Sequence, residues 1–141
     1  MCAVFIDKNM QRGLKMQLSR AIKKGCAISY GLSGAFLISQ IDGKPCASAL
    51  GAAFLGIACV TKRIRVLRLA LYHETRDEGV KLADSQLNQV FGKALDKKRI
   101  PIETKHGGTE MTPLRNAIIY LNDNAGWTRE DIANYLESFG F

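Results

Sequence analysis

Residues Gly25–Thr61, GCAISYGLSGAFLISQIDGKPCASALGAAFLGIACVT, decide the fold. Asp42 and Lys44 are the only charges in this stretch, and they separate two uncharged runs of 17 residues, Gly25–Ile41 and Pro45–Thr61. Lys23 and Lys24 stand before the first run, and Lys62, Arg63, Arg65 and Arg68 follow the second. Two environments suit an apolar stretch between basic shoulders. In a membrane, an antiparallel helical hairpin would keep its Lys and Arg on the cytoplasmic side, and its small residues would let the two helices approach closely. A spanning helix, however, needs about 20 mainly apolar residues. Both runs are interrupted, by Ser29, Gly31, Ser33, Gly34, Ser39 and Gln40 and then by Ser48, Gly51 and Gly56, so insertion is marginal. A soluble core is the better reading. The β-favouring Phe36, Leu37 and Ile38 lead to Asp42-Gly43 as the tight turn of a short hairpin, and Ala47–Val60 form a buried helix. Ala49, Ala52, Ala53, Gly56 and Ala58 let neighbouring elements pack against that helix at short distance.

A chain of 141 residues reads as one domain, because that length buries about two-thirds of its unfolded surface without disulfide or metal help. The four cysteines, Cys2, Cys26, Cys46 and Cys59, have neither zinc-ribbon nor redox spacing. The beginning of the sequence turns charged at Asp7 and Lys8, unlike a secretory leader. The expectation is a reduced, cytoplasmic protein whose Cys26, Cys46 and Cys59 are buried free thiols, since an activated cysteine needs a base or cation beside it.

Net charge is +7, and its distribution is uneven. Residues 1–70 hold 11 Lys or Arg against Asp7 and Asp42, a balance of +9, whereas residues 71–141 hold 9 against 11 acids, a balance of −2. Such polarity suits a surface for nucleic acid, anionic lipid or an acidic protein. From Lys8 to Lys24, Met10, Leu14, Leu18, Ala21 and Ile22 recur at helical intervals, while Lys8, Arg12, Lys15 and Lys23 gather on the opposite arc. This pattern predicts an amphipathic helix that is basic on one side. Lys23 and Lys24 oppose the negative end of its dipole, and Gly25 supplies a left-handed terminus. Residues 62–73 fit both a helix and alternating strand segments, and helix is preferred; Arg65 and Arg68 extend the basic side in either case.

Residues 73–79 read as a connection. Val80, Ala83, Leu87, Val90, Phe91, Ala94 and Leu95 then form an apolar helical stripe that Pro101 stops, and residues 100–110 read as a polar loop. Thr112-Pro113 resembles an N-cap followed by proline at the first helical position, with Leu114, Ala117, Ile118 and Leu121 on the buried side. In the last helix Thr128 caps with Asp131 three residues on. Trp127 and Ile132 occupy hydrophobic-staple positions, Ile132, Leu136 and Phe139 face inward, and Gly140 closes the helix.

Three segments carry a resemblance: Leu18–Gly25 (LSRAIKKG), Cys46–Ala53 (CASALGAA) and Leu121–Ala133 (LNDNAGWTREDIA). Together they are similar to a loose group of small uncharacterised bacterial and phage-associated proteins. In these a Leu-Ser helix, a short hairpin and an Ala-Leu-Gly-Ala-Ala helix precede an Asn-Asp…Trp-Thr-Arg-Glu ending. The resemblance covers about a third of the chain and implies a soluble helical domain; the group brings no assigned activity with it.

Enzymatic patterns are weak. Gly31-Leu-Ser33-Gly34-Ala35 has alanine where a nucleophile elbow ends in glycine, and the sequence holds two histidines and no metal set, paired carboxylates or cofactor loop. Residues 126–133 resemble the first helix of a helix-turn-helix, but too little chain follows to supply a recognition helix. The sequence therefore predicts a mainly α, single helical domain over residues 1–141 with one short β-hairpin around Asp42-Gly43, with no cofactor or catalytic residue named. Its expected function is non-enzymatic binding of an anionic partner, nucleic acid or an acidic protein, on a basic face formed by Lys8, Arg12, Lys15, Lys23, Lys24, Lys62, Arg63, Arg65 and Arg68. Self-assembly through residues 25–61, a membrane hairpin, and an enzyme site assembled by folding stay open as alternatives.

Overall fold

The computed structural model describes residues 16–32, 37–41, 44–61 and 76–141. Within them the chain runs α1 (Leu18–Cys26), β1 (Tyr30–Gly31), β2 (Leu37–Ile41), β3 (Lys44–Ala47), α2 (Ala49–Thr61), α3 (Arg76–Lys97), β4 (Arg99–Glu103), β5 (Thr109–Pro113), α4 (Leu114–Asp123) and α5 (Arg129–Ser138). The architecture is mainly helical, as expected, and α2 is its axis. Every residue from Ala49 to Ala58 is buried, the location that a helix apolar on all sides requires. At 13 residues, α2 is about 20 Å long, short of the roughly 30 Å hydrocarbon layer. No helix among the described residues is long and apolar enough to cross a membrane.

Two polar side chains start α2. Ser48 Oγ accepts the Gly51 N–H at 3.2 Å, and Asn122 Oδ1, from the end of α4, accepts the Ala49 N–H at 3.0 Å. Asn122 is buried, and its Nδ2 donates to the Leu32 carbonyl at 2.9 Å. Orphan amides at a buried helix start are costly; here a residue 73 positions away satisfies one of them.

α1 packs on α2 through bare backbone. A Cβ placed on Gly25 would lie 1.7 Å from the Ala52 carbonyl oxygen, and one on Gly56 would lie 2.1 Å from that of Ala21. The contact is reciprocal. Ala21 and Gly25 on one helix, and Ala52 and Gly56 on the other, stand four residues apart, so each pair forms a groove one turn long that admits the partner's backbone. Gly25 is therefore not the left-handed terminus expected: α1 continues through Cys26, and its C-cap, Ala27, is right-handed with φ −65°. The glycine is required by proximity and not by backbone sign.

The hairpin expected around Asp42-Gly43 is present. β2 and β3 pair antiparallel with Ile41 opposite Lys44, which leaves a two-residue connection whose own conformation lies outside the described residues. The register slips between Leu37 and Ser39, where the extra residue makes a bulge. β1 joins the other edge of β3 in parallel, with Tyr30 opposite Cys46, and Lys44 Nζ stands 4.7 Å from the centre of the Tyr30 ring.

A second hairpin replaces the polar loop expected over residues 100–110. β4 and β5 pair antiparallel from Arg99 opposite Pro113 to Glu103 opposite Thr109. Ile100 and Ile102 turn into the core on alternate positions. Hydrogen bonds from Leu114 N to Lys98 O and from Thr104 N to Gly108 O bracket this ladder. Alternation of bonded and non-bonded pairs then aims the nitrogens of Pro101 and Pro113 away from the partner strand, so neither proline interrupts the pairing. The helix before it ends at Lys97, ahead of Pro101. Gly107, with φ +83°, occupies the turn.

Two helix boundaries also differ from expectation. α3 starts at Arg76, so residues 76–79 are its first turn and not a connection; Asp77 and Glu78 there oppose the positive end of the dipole. α4 starts at Leu114 with an extended Pro113 before it, and Thr112 belongs to β5 rather than capping the helix. In α5 the Thr128 cap is present, accepting from Asp131 N at 3.0 Å. Phe139, however, is 42% exposed, because α5 turns its Ile132, Ala133 and Leu136 face inward and leaves Phe139 beside it. Trp127 makes an edge-on ring contact with Tyr135, 5.3 Å between centroids. Gly140, at φ +89°, ends the helix as expected: Phe141 N–H reaches Leu136 O and Gly140 N–H reaches Glu137 O, the paired bonds of a Schellman motif. The Phe141 carbonyl then accepts from Ser19 N at 3.0 Å and satisfies an amide at the start of α1. Leu18 and Ile22, Ala49 to Ala53, Leu87 and Leu95, Leu114 and Ile118, and Ile132 and Leu136 form one apolar cluster drawn from all five helices.

Candidate functional site

Of the residues expected on a basic face, Lys23 and Lys24 lie among the described residues. Leu18, Ala21, Ile22 and Gly25 of α1 are buried, and Arg20, Lys23 and Lys24 project from the opposite side. Lys8, Arg12, Lys15, Lys62, Arg63, Arg65 and Arg68 lie outside the described residues. Lys23 is not wholly available: its Nζ lies 2.9 Å from Glu137 Oε2 of α5. Both side chains are about half exposed, so the pair contributes no more than about 1 kcal/mol and yields readily to a competing anion. Arg20 belongs to the face and was missed by the sequence reading, although it stands three and four residues before Lys23 and Lys24, a spacing that places all three on one turn.

Arg115 forms a second polar assembly, between α4 and α3. Its Nε donates to Asp96 at 3.2 Å, a further nitrogen stands 3.6 Å from Asp84, and another donates to Asn88. The assembly borders a groove of about 470 Å³ lined by Leu50, Val80, Ile118 and Ile119. With two carboxylates beside it, this arginine ties helices together and presents little unbalanced positive charge.

Arg129 forms the third. It opens α5 but turns inward, and its guanidinium donates to Ser29 Oγ at 2.7 Å, Ser29 O at 2.9 Å and Ala47 O at 3.4 Å. One cation thereby collects carbonyls from the connection between α1 and β1 and from β3, while Ser29 Oγ also donates to Gly25 O at 2.6 Å. No period in the sequence marks this contact, which joins residues 100 positions apart.

Cys46 is buried and Cys26 half-buried, both as free thiols; Cys2 and the Cys59 side chain lie outside what is described. Burial pushes the Cys26 thiol up to about 12, against the pull of the nearby Arg129, with Glu130 adding to the rise. A thiol so shifted stays protonated at neutral pH and is a poor nucleophile. Alkylation of Cys26 by iodoacetamide at pH 8, mapped by mass spectrometry, should be more than about tenfold slower in the folded chain than in urea, because only the thiolate reacts. Equal rates would show that the thiol is not shielded.

Among the described residues no three His, Cys, Asp or Glu gather as a metal site would, and His106 is exposed in the β4–β5 turn. Comparison with protein-family models, curated proteins and solved structures finds no match to this chain.

Proposed function

We propose that this is a non-enzymatic binding protein that holds an anionic partner, nucleic acid in the first instance, on the basic face of α1. One observation carries the reading. Arg20, Lys23 and Lys24 share an exposed turn of a helix whose opposite face is locked onto α2 by the Gly25 and Gly56 contacts. A face held so closely by backbone is preorganised, and binding there costs little ordering of the scaffold. The alternative of self-assembly through residues 25–61 has less support, because Ala49 to Ala58 are already buried within the chain.

A salt series of binding to labelled duplex DNA and structured RNA tests the proposal. Affinity should fall steeply as salt rises, with the log–log slope reduced by about 0.9 for each DNA phosphate contact removed. The Arg20→Glu, Lys24→Glu variant should bind about tenfold more weakly or worse at low salt while its circular dichroism stays that of the parent, since both side chains are exposed. Binding that ignores both salt and charge reversal would defeat the proposal.

A further inference from the structure

α5 presents a surface of the opposite chemistry. Trp127, 38% exposed, meets Tyr135 edge-on, and Tyr135 meets Phe139 edge-on at 5.0 Å, making a row of three rings along the outside of the helix. The Tyr135 hydroxyl donates to the Pro101 carbonyl at 2.5 Å, an oxygen that β4 turns away from its partner strand, so the middle ring is anchored. Asp131 stands one turn before Tyr135, and Trp127, Asp131, Asn134, Tyr135 and Ser138 line an open groove of about 540 Å³.

Charge identifies the occupant. Between residues 123 and 141 the ionised side chains are Asp123, Arg129, Glu130, Asp131 and Glu137. The four acids are exposed, Glu137 being paired with Lys23 of α1, and the segment's one base points inward to Ser29 and Ala47. In a chain of net charge +7, this end is locally anionic and carries π faces next to a carboxylate. That is the combination that draws lysine or arginine, and it repels phosphate. With successive ring centroids 5.3 and 5.0 Å apart, the row spans at most about 10 Å, the reach of about three residues of extended chain, so a short peptide covers the row where a single amine would occupy one end.

We infer that the outer face of α5 is a docking surface for a basic peptide, seating a lysine or arginine side chain against Trp127 and Tyr135 with Asp131 as its counter-charge. This surface is distinct from the α1 face and does not depend on it.

Trp127 is the only tryptophan in the chain, so its emission reports the groove directly. Titration of the full chain with hexa-arginine should change that emission saturably, and hexaglutamate should leave it unchanged. Asp131→Asn, an exposed change that keeps the backbone cap to Thr128, should weaken binding about threefold to fivefold, the size of an exposed charge pair. With a labelled peptide read by anisotropy, Trp127→Ala should weaken it about tenfold or more, as loss of an aromatic anchor does. Arg20→Glu, Lys24→Glu should bind the peptide undiminished, which separates this inference from the proposal for α1. The inference is overturned if hexa-arginine leaves the emission unchanged, if hexaglutamate reproduces the effect, or if Asp131→Asn binds as tightly as the parent. It is equally overturned if peptide-free chain associates with itself in sedimentation and Asp131→Asn abolishes that association, for the occupant is then a second copy.

Discussion

Gly25→Ala and Gly56→Ala should each lower the melting temperature by about 10 °C, which corresponds to about 3 kcal/mol for a chain of this size. The direction follows from two opposing effects. Alanine is the better helix former by about 1 kcal/mol, and in an open helix it would stabilise. At these two positions the new methyl group would meet carbonyl oxygens at 1.7 and 2.1 Å, whereas ordinary Cβ contacts begin near 3.4 Å. The obstacle is helix backbone, which has no rotamer to change, so α1 and α2 must separate and surrender contacts along the whole crossing. Gly92 of α3 provides the control: a Cβ there meets only the Asn88 side chain, at 3.4 Å. Gly92→Ala should raise stability by about 0.5–1 kcal/mol. Thermal unfolding followed by circular dichroism reads all three. The double variant Gly25→Ala, Gly56→Ala should lose less than the sum of the singles, because one separation of the helices relieves both clashes. A Gly25→Ala chain as stable as the parent would refute the close crossing.

Arg129→Met should cost about 3 kcal/mol, with the denaturant slope unchanged. The substitution keeps much of the volume and the apolar stem but removes donors to Ser29 Oγ, Ser29 O and Ala47 O. Each bond from a charged donor contributes about 1.5–3 kcal/mol when its acceptor is left without a substitute, and the three share one guanidinium, so their losses do not add. Arg129→Lys keeps the charge but loses the planar fork that spans two residues, and should recover less than half of the deficit. Amide exchange adds a local readout: opening between α5 and the β1–β3 edge should quicken exchange around Tyr30 and Cys46 before it affects α3. Parent-like stability in Arg129→Met would mean that Arg129 does not hold this edge.

Much of the helical framework was legible because helices are written locally. The Leu18, Ala21, Ile22 part of the stripe, the charge-free Ala49–Ala58 segment, the Ala83, Leu87, Phe91, Leu95 spacing and the Thr128 cap each announce themselves within a few turns and fall in helices; the helix expected from Lys8 to Lys24, however, starts only at Leu18, after an extended Gln17. The second hairpin was illegible for an equally physical reason. Ile100 and Ile102 form too short an alternation to outweigh Pro101, and only the register with β5 shows that the proline nitrogen faces away from the ladder. Gly25 misled in a related way, since glycine after two lysines signals a terminus, while its role depends on Ala52, 27 positions on. At the candidate sites, helical spacing sorted the basic arc of α1 from its buried arc. It could not show that Glu137 would reach Lys23, or that Arg129 would fold inward, with no base among the described residues paired to Asp131.

By itself, then, the sequence determined where the bodies of the described helices lie, which helix is too apolar to face water, and that the positive charge is concentrated in the first half of the chain. These properties follow from composition and short periods, which act over a few residues whatever the rest of the chain does. Only the tertiary structure decided which carbonyl a glycine must admit, which helix start Asn122 caps, and which charges remain facing solvent. Those outcomes depend on distances between residues tens of positions apart, set jointly by the packing of the five described helices, and no local period encodes them.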